Sequence, residues 1–187
     1  MIQFLLVLIK KIQRWVGWNT CQDTAQSSTE GDYMIYQTDK GLDPIIQKYG
    51  CLFMSLAWAS DIKYTAIELN KIWYACIAKG HISGDLNRDE DMDDNGEAEI
   101  LSHDGVAREL GSCLAYTNAH NSPTVNIPAG YYAIGAYYNP RTRFTHFVVI
   151  NRDKEVVYDP IPHSVTVREG YLKSIRIYKV TGKIRIV

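Results

Sequence analysis

The chain has 187 residues, of which 46% are hydrophobic and 22% are charged, and its formal net charge is −1. This length and composition predict one domain with a substantial core, and the near-neutral charge argues against nucleic acid as a partner. The four cysteines include no CxxC pair, which argues against a zinc site and against a small disulfide scaffold. We therefore expect buried thiols at Cys76 and Cys113, and the composition favours a reducing compartment.

The N-terminal segment differs from the rest of the chain. Residues 1–9 are strongly apolar, and the basic and tryptophan residues of the segment follow at 10–18. The apolar run is too short to span a bilayer, and its charges come after it, unlike those of a signal peptide. We predict an amphipathic helix at 1–18, which packs on its own domain or a partner, or lies on a membrane surface. Residues 19–41 are predicted to be a linker or loop, and residues 42–187 the main domain.

A cysteine directly follows a glycine where an apolar segment with helical spacing begins. Gly50 precedes Cys51, and Leu52, Leu56 and Ala59 recur along one stripe of the segment. This spacing predicts a helix from Cys51 to about residue 60. Free backbone N–H groups at a helix start create a positive potential that favours a thiolate, which is the nucleophilic form.

Two short apolar runs further along the chain predict a β-hairpin. The first run, 145–150, has His146 near its start; the second, 156–158, ends at Asp159, and a turn at 151–155 separates them. Pairing about this turn brings Asp159 close to His146. A nucleophilic thiol needs a base, and the base needs an orienting group. Cys51, His146 and Asp159 are therefore the predicted nucleophile, base and orienter, although each alone is also an ordinary structural residue.

The sequence around these residues resembles papain-like cysteine peptidases, most closely their bacteriocin-processing branch. The motifs that carry the resemblance are Cys51 at a helix start, THFVVI at 145–150 and VVYDP at 156–160, and the resemblance covers roughly residues 42–180. The layout is also similar to uncharacterised phage- and plasmid-borne proteins. The resemblance implies an α+β, papain-like fold in which an N-terminal helical half carries the cysteine and packs on a C-terminal antiparallel sheet. It also implies an oxyanion donor from a glutamine shortly before the cysteine, and Gln47 is the matching residue type.

These features together predict a thiol hydrolase that cleaves a peptide or amide bond through a Cys-His-Asp triad and requires no cofactor. The expected substrate is a peptide, a protein or peptidoglycan, and the expected location is cytoplasmic or virion-associated. The alternative is a catalytically inactive papain-like binding or virion-associated module that docks through its N-terminal helix. Reactivity of Cys51 discriminates between the two.

An acidic segment at 85–99 matches the first half of a calcium-binding loop. Asp91, Asp93 and Asn95 alternate, and Gly96 occupies the sixth position, but Ser102 occupies the twelfth, where a bidentate glutamate belongs. The favoured interpretation is a solvated acidic loop. The alternative is a Ca²⁺ site, which would make the protein a calcium-regulated interaction domain.

The remaining pattern predicts helices before strands. Thr65 and Glu68 form a capping box for a helix that ends near Gly80, and a short helix is predicted at 105–114. Residues 116–128 are predicted to be a long connection. The segments predicted as strands of an antiparallel sheet are 131–138, 145–150, 156–158, 164–168, 172–178 and 183–187.

Overall fold

The computed structural model describes residues 35–83 and 98–185. These residues form five helices and five strands: α1 (Pro44–Tyr49), α2 (Cys51–Ala59), α3 (Ala66–Ala78), α4 (His103–Glu109), β1 (Leu114–His120), β2 (Tyr131–Asn139), β3 (Phe144–Ile150), β4 (Val156–Tyr158), α5 (Val165–Glu169) and β5 (Tyr171–Val180). The fold class is therefore α+β, with four helices before the first strand. The predicted antiparallel sheet in the C-terminal half is confirmed.

The helices begin where the sequence supplies caps. The Asp43 side chain accepts a hydrogen bond from Ile45 N–H, and Pro44 is the first residue of α1. α2 is buried around nearly its whole circumference, since eight of its nine residues are buried. The predicted capping box of Thr65 and Glu68 is present at the start of α3. α4 begins earlier than predicted because the Ser102 hydroxyl caps it by accepting from Gly105 N–H.

The five strands form one sheet in the order β1-β5-β2-β3-β4. β5 is the last strand in the chain but lies between β1 and β2, so both of its edges are paired. β2 and β3 form a hairpin in which Tyr137 lies opposite His146. β4 pairs with the far end of β3, with Tyr158 opposite Val149, so the hairpin predicted from residues 145–158 is confirmed.

Alternation along the strands divides the core between the two faces of the sheet. One face packs against α1–α4, and its buried sheet residues include Tyr132, Ile134, Val149 and Tyr178. The opposite face forms a smaller cluster, whose buried residues are Ile127, Ala133, Val148, Ile150, Ile175 and Ile177. α2 therefore lies against the sheet, and Cys51 lies at its N-terminal end.

Three predictions for the C-terminal half were wrong. Residues 114–120 form β1 and pair with β5, although residues 116–120 were predicted to begin a long connection. Residues 165–169 form α5 rather than a strand, because the Ser164 hydroxyl accepts from Thr166 N–H and caps a helical turn. Residues 183–185 form no strand, and Arg185 N–H donates instead to the carbonyl of Ala59.

The described cysteines differ in state. Cys51 and Cys76 are free and buried. Cys113 is disulfide-bonded, so the expectation of a free thiol there is wrong.

The predicted N-terminal helix at 1–18 and most of the predicted linker lie outside the described residues. Within the part of the chain that the structure describes, no helix has the length and apolar character that crossing a bilayer requires.

Candidate active site

The nucleophile position is set by a junction between two helices. Gly50 N–H donates to the Ile46 carbonyl at the end of α1, and the Gly50 carbonyl accepts from Met54 N–H in α2, both at 2.8 Å. A Cβ atom on Gly50 would lie 2.5 Å from the Ile46 carbonyl oxygen, so the junction requires glycine. Cys51 is consequently the first residue of α2, where N–H groups have no intrahelical partner and the helix dipole is positive. Cys51 as a whole is 6% exposed.

The imidazole of His146 lies between a carboxylate and the thiol. His146 is fully buried in β3, and its Nε2 atom is 2.6 Å from Oδ1 of Asp159, the residue after β4. Nδ1 is buried and has no hydrogen bond of standard geometry among the described residues. Cys51 is nevertheless close enough to interact with the imidazole. The structure thus brings together the three residues that the sequence suggested, from α2, from β3 and from the end of β4.

The charge of the His146 imidazole follows from its neighbours. Burial alone would lower the pKa of His146, but the hydrogen bond to Asp159 and the interaction with Cys51 together outweigh burial and raise that pKa to about 9. The imidazole is therefore protonated at neutral pH. A positive charge beside a cysteine favours the thiolate.

Backbone groups hold the Asp159 carboxylate in place. Oδ1 also accepts from Ile161 N–H at 2.9 Å, and Oδ2 accepts from Ser164 N–H at 3.3 Å. Ser164 is the residue that caps α5. The loop after β4 and the start of α5 therefore fix the carboxylate that orients His146.

A buried serine connects the helix of the nucleophile to the strand of the base. Ser55 lies one turn after Cys51 on the same side of α2, is fully buried, and donates from its hydroxyl to the Phe147 carbonyl at 3.2 Å. Phe147 follows His146 directly. The sequence offered no signal for this contact, because a serine within an apolar helix has many uses.

The Gln47 side chain binds backbone carbonyls of the turn before α1. Its amide nitrogen donates to the carbonyls of Asp39 at 2.8 Å and Leu42 at 3.0 Å, which uses both amide protons. The side chain therefore holds the turn before α1. The geometry leaves no amide proton of Gln47 for an oxyanion, and it gives the predicted donor role no support.

Gln37 is a glutamine that the sequence did not single out, and its hydrogen bonds reach segments on both sides of the site. It is 1% exposed, and its amide nitrogen donates to the Gln47 carbonyl at 2.8 Å, in the last turn before Cys51. Its backbone N–H donates to Pro160, the residue after Asp159, at 2.8 Å. Among the described residues, its second amide proton has no acceptor and its Oε1 atom is buried without a partner. Gln37 thus links the Asp159 loop to the approach to Cys51.

Comparison with known proteins gives a family without a stated function. A family model described as a protein of unknown function, DUF261, matches residues 33–180, which is most of the chain. The chain belongs to the DUF261 family. Neither the curated proteins nor the solved structures include a significant match. The matched region of DUF261 contains Gln37, Cys51, His146 and Asp159, so any function must be argued from these side chains.

The other candidate groups do not add to the site. Cys76 is fully buried, and burial raises the pKa of its thiol to about 12, which is typical of a structural thiol. No group of three or more metal-ligating side chains occurs in residues 35–83 and 98–185. The predicted calcium ligands Asp91, Asp93 and Asn95 lie outside those ranges, so the Ca²⁺ site stays a prediction.

Proposed function

We propose that the protein is a thiol hydrolase of papain-like type that cleaves a peptide or amide bond with Cys51 as nucleophile. The observation that carries this proposal is the buried imidazole of His146, which bonds to Asp159 on one side and interacts with Cys51 on the other. Ordinary packing does not require a carboxylate, an imidazole and a thiol to meet from separate parts of the chain. A cysteine at a helix start facing a base on an antiparallel sheet is also the arrangement that the resemblance to papain-like peptidases implies.

The reaction proceeds in two halves. The Cys51 thiolate attacks the carbonyl carbon, and the tetrahedral oxyanion accepts from Cys51 N–H and from the second amide proton of Gln37. The His146 imidazolium gives its Nδ1 proton to the leaving amine, the C–N bond breaks, and a thioester remains. Neutral His146 then takes a proton from water, the hydroxide attacks the thioester, and the carboxylic acid product leaves Cys51. Asp159 fixes the orientation of the imidazole throughout.

No cofactor enters these steps, since the thiol, the imidazole and the oxyanion donors supply all the chemistry. The substrate belongs to one of the classes with a cleavable amide: a peptide, a protein or the peptide links of peptidoglycan. Of the two expected locations, the disulfide at Cys113 favours the virion-associated one over a reducing cytoplasm.

Alkylation with iodoacetamide across pH tests the proposal. We expect Cys51 to label rapidly below about pH 7, where an ordinary thiol with a pKa near 8.5 is slow. His146→Ala should slow this low-pH labelling, because the positive charge beside the sulfur is lost. His120→Ala is the matched control, since His120 lies on the edge strand β1, and it should leave the rate unchanged.

Cys76 provides an internal reference in the same experiment. Its buried thiol should label only after denaturation. If Cys51 also labels only after denaturation, or if His146→Ala labels as fast as the wild type, the hydrolase proposal is wrong.

One observation favours the alternative, a catalytically inactive papain-like module. Cys51 is only 6% exposed as a residue, whereas an active thiol must meet its substrate. In such a module the Cys51, His146 and Asp159 contacts would stabilise the joint between α2 and the sheet. Cys51→Ala would then lower the melting temperature, and labelling of the folded protein would be negligible.

A further inference from the structure

An exposed apolar surface borders the candidate site at the start of β3. Phe144 is two residues before His146, so the two residues share one face of β3, with Cα atoms about 7 Å apart. Phe144 is 40% exposed and lies opposite Asn139 of β2. Asn139 is buried, and its amide nitrogen is 3.5 Å from the carbonyl oxygen of Val165, a residue that is also 40% exposed. Phe144 and Val165 are therefore neighbours of one buried amide, beside the base.

The start of α5 connects this surface to the carboxylate of the site. Val165 directly follows Ser164, whose backbone N–H donates to Oδ2 of Asp159 at 3.3 Å. Oδ1 of the same carboxylate is 2.6 Å from Nε2 of His146, which in turn interacts with Cys51. A continuous series of contacts therefore runs from the exposed surface to the catalytic groups.

Two arginines lie at the rim of this surface. Arg141 is in the turn after β2, where its backbone N–H donates to Oδ1 of Asn139 at 2.9 Å, and Arg168 is in the last turn of α5. Their side chains are 70% and 62% exposed. Both guanidinium groups donate from Nη2 to the carboxylate of Glu169. The hydrogen bond from Arg168, together with the charges of both arginines, lowers the pKa of Glu169. The arginine pair thus already holds one carboxylate and keeps an excess of positive charge.

The charge of this end of the sheet is opposite in sign to that of the chain. Segments 139–145 and 163–170 contain three arginines and one glutamate, whereas the whole chain has a formal net charge of −1. The third arginine, Arg143, is also exposed. A positive surface attracts acidic partners and disfavours basic ones. An apolar centre with a charged rim is the usual composition of a surface that binds protein.

We propose that this surface, with its arginine rim, binds an acidic segment of a polypeptide substrate. The proposal rests on the proposed hydrolase and narrows its substrate to polypeptides with an apolar residue between acidic ones near the scissile bond. The apolar residue covers Phe144 and Val165, and the carboxylates pair with the guanidinium groups. The step from Phe144 to His146 equals about two residues of an extended peptide, so the bound segment reaches the base. An anionic membrane is less suited, because Phe144 and Val165 are each more than half covered and present little to insert.

Binding of short acidic peptides tests the surface independently of catalysis. The probe is a fluorescein-labelled peptide EEFEE, and its controls are QQFQQ, which lacks the charges, and EEAEE, which lacks the aromatic ring. Fluorescence anisotropy is measured on the full chain, both as the wild type and as Cys51→Ala, in which no probe is cleaved. We expect EEFEE to bind more tightly than either control, and its affinity to fall with added salt, which screens exposed charges.

Substitutions locate the binding surface. Arg141→Gln combined with Arg168→Gln should weaken binding of EEFEE about fivefold or more, because each exposed charge pair contributes up to about fivefold. The matched control is Arg152→Gln combined with Lys179→Gln, which changes the net charge equally at two other exposed positions and should leave binding unchanged. Phe144→Ala should reduce the ratio of the affinities for EEFEE and EEAEE. This ratio does not depend on the fraction of the variant that folds.

Equal binding of EEFEE and QQFQQ, or undiminished binding by the variant without Arg141 and Arg168, would overturn the surface. Binding to vesicles of phosphatidylglycerol that depends on these arginines, without binding of EEFEE, would overturn its assignment to a polypeptide. In the wild type, saturating EEFEE should slow iodoacetamide labelling of Cys51, and binding without this protection would place the surface outside the path of the substrate. Binding of EEFEE to a chain with an unreactive Cys51 contradicts only the hydrolase, and a reactive Cys51 without binding contradicts only the surface.

Discussion

At the residue scale, the side-chain amides of Gln37 and Gln47 differ in how many of their protons have an acceptor. Both protons of Gln47 are used by backbone carbonyls, whereas one amide proton of Gln37 has no acceptor among the described residues. We predict that Gln37→Ala slows acylation of Cys51 by p-nitrophenyl acetate about 10²–10³-fold, which is the usual effect of removing an oxyanion donor. Release of p-nitrophenolate in a single turnover measures this rate.

Alkylation provides the control for that prediction. Iodoacetamide reacts at an sp³ carbon and forms no oxyanion, so Gln37→Ala should alkylate at nearly the wild-type rate. Gln47→Ala should lower the melting temperature, because the turn at 39–42 loses two hydrogen bonds, and should leave the acylation rate unchanged. A larger loss of acylation in Gln47→Ala than in Gln37→Ala would restore the role predicted from the sequence.

The Asp159 carboxylate is one of the two groups that keep His146 protonated, the other being Cys51. We predict that the imidazole titrates at about 9 in the wild type, and that Asp159→Asn lowers this pKa by about 1–3 units. The direction follows because the amide keeps the shape of the side chain and removes its charge, while burial continues to disfavour the imidazolium. The Cε1–H chemical shift of His146 measures the titration. An unchanged midpoint in Asp159→Asn would mean that the carboxylate does not set the charge of the base.

Sequence patterns predicted the site residues whose partners are close in sequence or have a distinctive spacing. The pairing of His146 with Asp159 followed from one hairpin, and the place of Cys51 at a helix start followed from Gly50 and an apolar stripe. Gln37 and Ser55 were missed because their contacts join distant segments. A buried glutamine in a polar stretch has no local pattern that reveals its partner.

At the scale of elements, the junction between α1 and α2 positions the nucleophile. A Cβ atom on Gly50 would lie 2.5 Å from the carbonyl oxygen of Ile46 and 2.7 Å from its Cγ2 atom. We predict that Gly50→Ala costs about 1–3 kcal/mol, as overpacking usually does. It should also slow iodoacetamide labelling of Cys51, because α2 must shift to relieve the overlap. Urea unfolding and the labelling rate measure the two effects.

Gly80→Ala is the matched control for that change. Gly80 follows α3 with a φ of +68°, and a Cβ atom there would meet no other atom within 4 Å. Alanine in this conformation costs about 1–2 kcal/mol through backbone strain alone. The stability of the two variants should therefore fall similarly, and only Gly50→Ala should slow the labelling. Equal labelling rates would mean that the junction does not position Cys51.

Local sequence patterns predicted some of the helices and strands and missed others. The capping box of α3 and the apolar run of α2 predicted their helices, because each signal lies within the helix itself. β1 was missed because its residues are half exposed and it gains its partner, β5, from the end of the chain. The alternation at 164–168 indicated a strand, but the Ser164 cap made it one helical turn.

For the whole molecule, the pKa values of two histidines shift in opposite directions. These shifts predict that the free energy of unfolding is greatest near pH 6.5. The pKa of His103 is lowered to about 4, so between pH 4 and 6.5 the unfolded chain binds a proton that the native chain does not, and the free energy of unfolding rises with pH. The pKa of His146 is raised to about 9, so between pH 6.5 and 9 the native chain keeps a proton that the unfolded chain releases, and the free energy of unfolding falls. Each slope is at most about 1.4 kcal/mol per pH unit.

Urea unfolding at pH 5, 6.5 and 8.5 measures both sides of this maximum. Asp159→Asn should flatten the alkaline side, because it removes the negative charge that helps to hold the proton on His146. His103→Gln should flatten the acid side between pH 4 and 6.5, because no buried neutral imidazole remains at this position to be protonated on unfolding. Stability that rises steadily from pH 5 to 8.5 in the wild type would contradict a protonated His146 in the native state. The thiolate–imidazolium pair on which the proposed hydrolase depends would then be wrong as well.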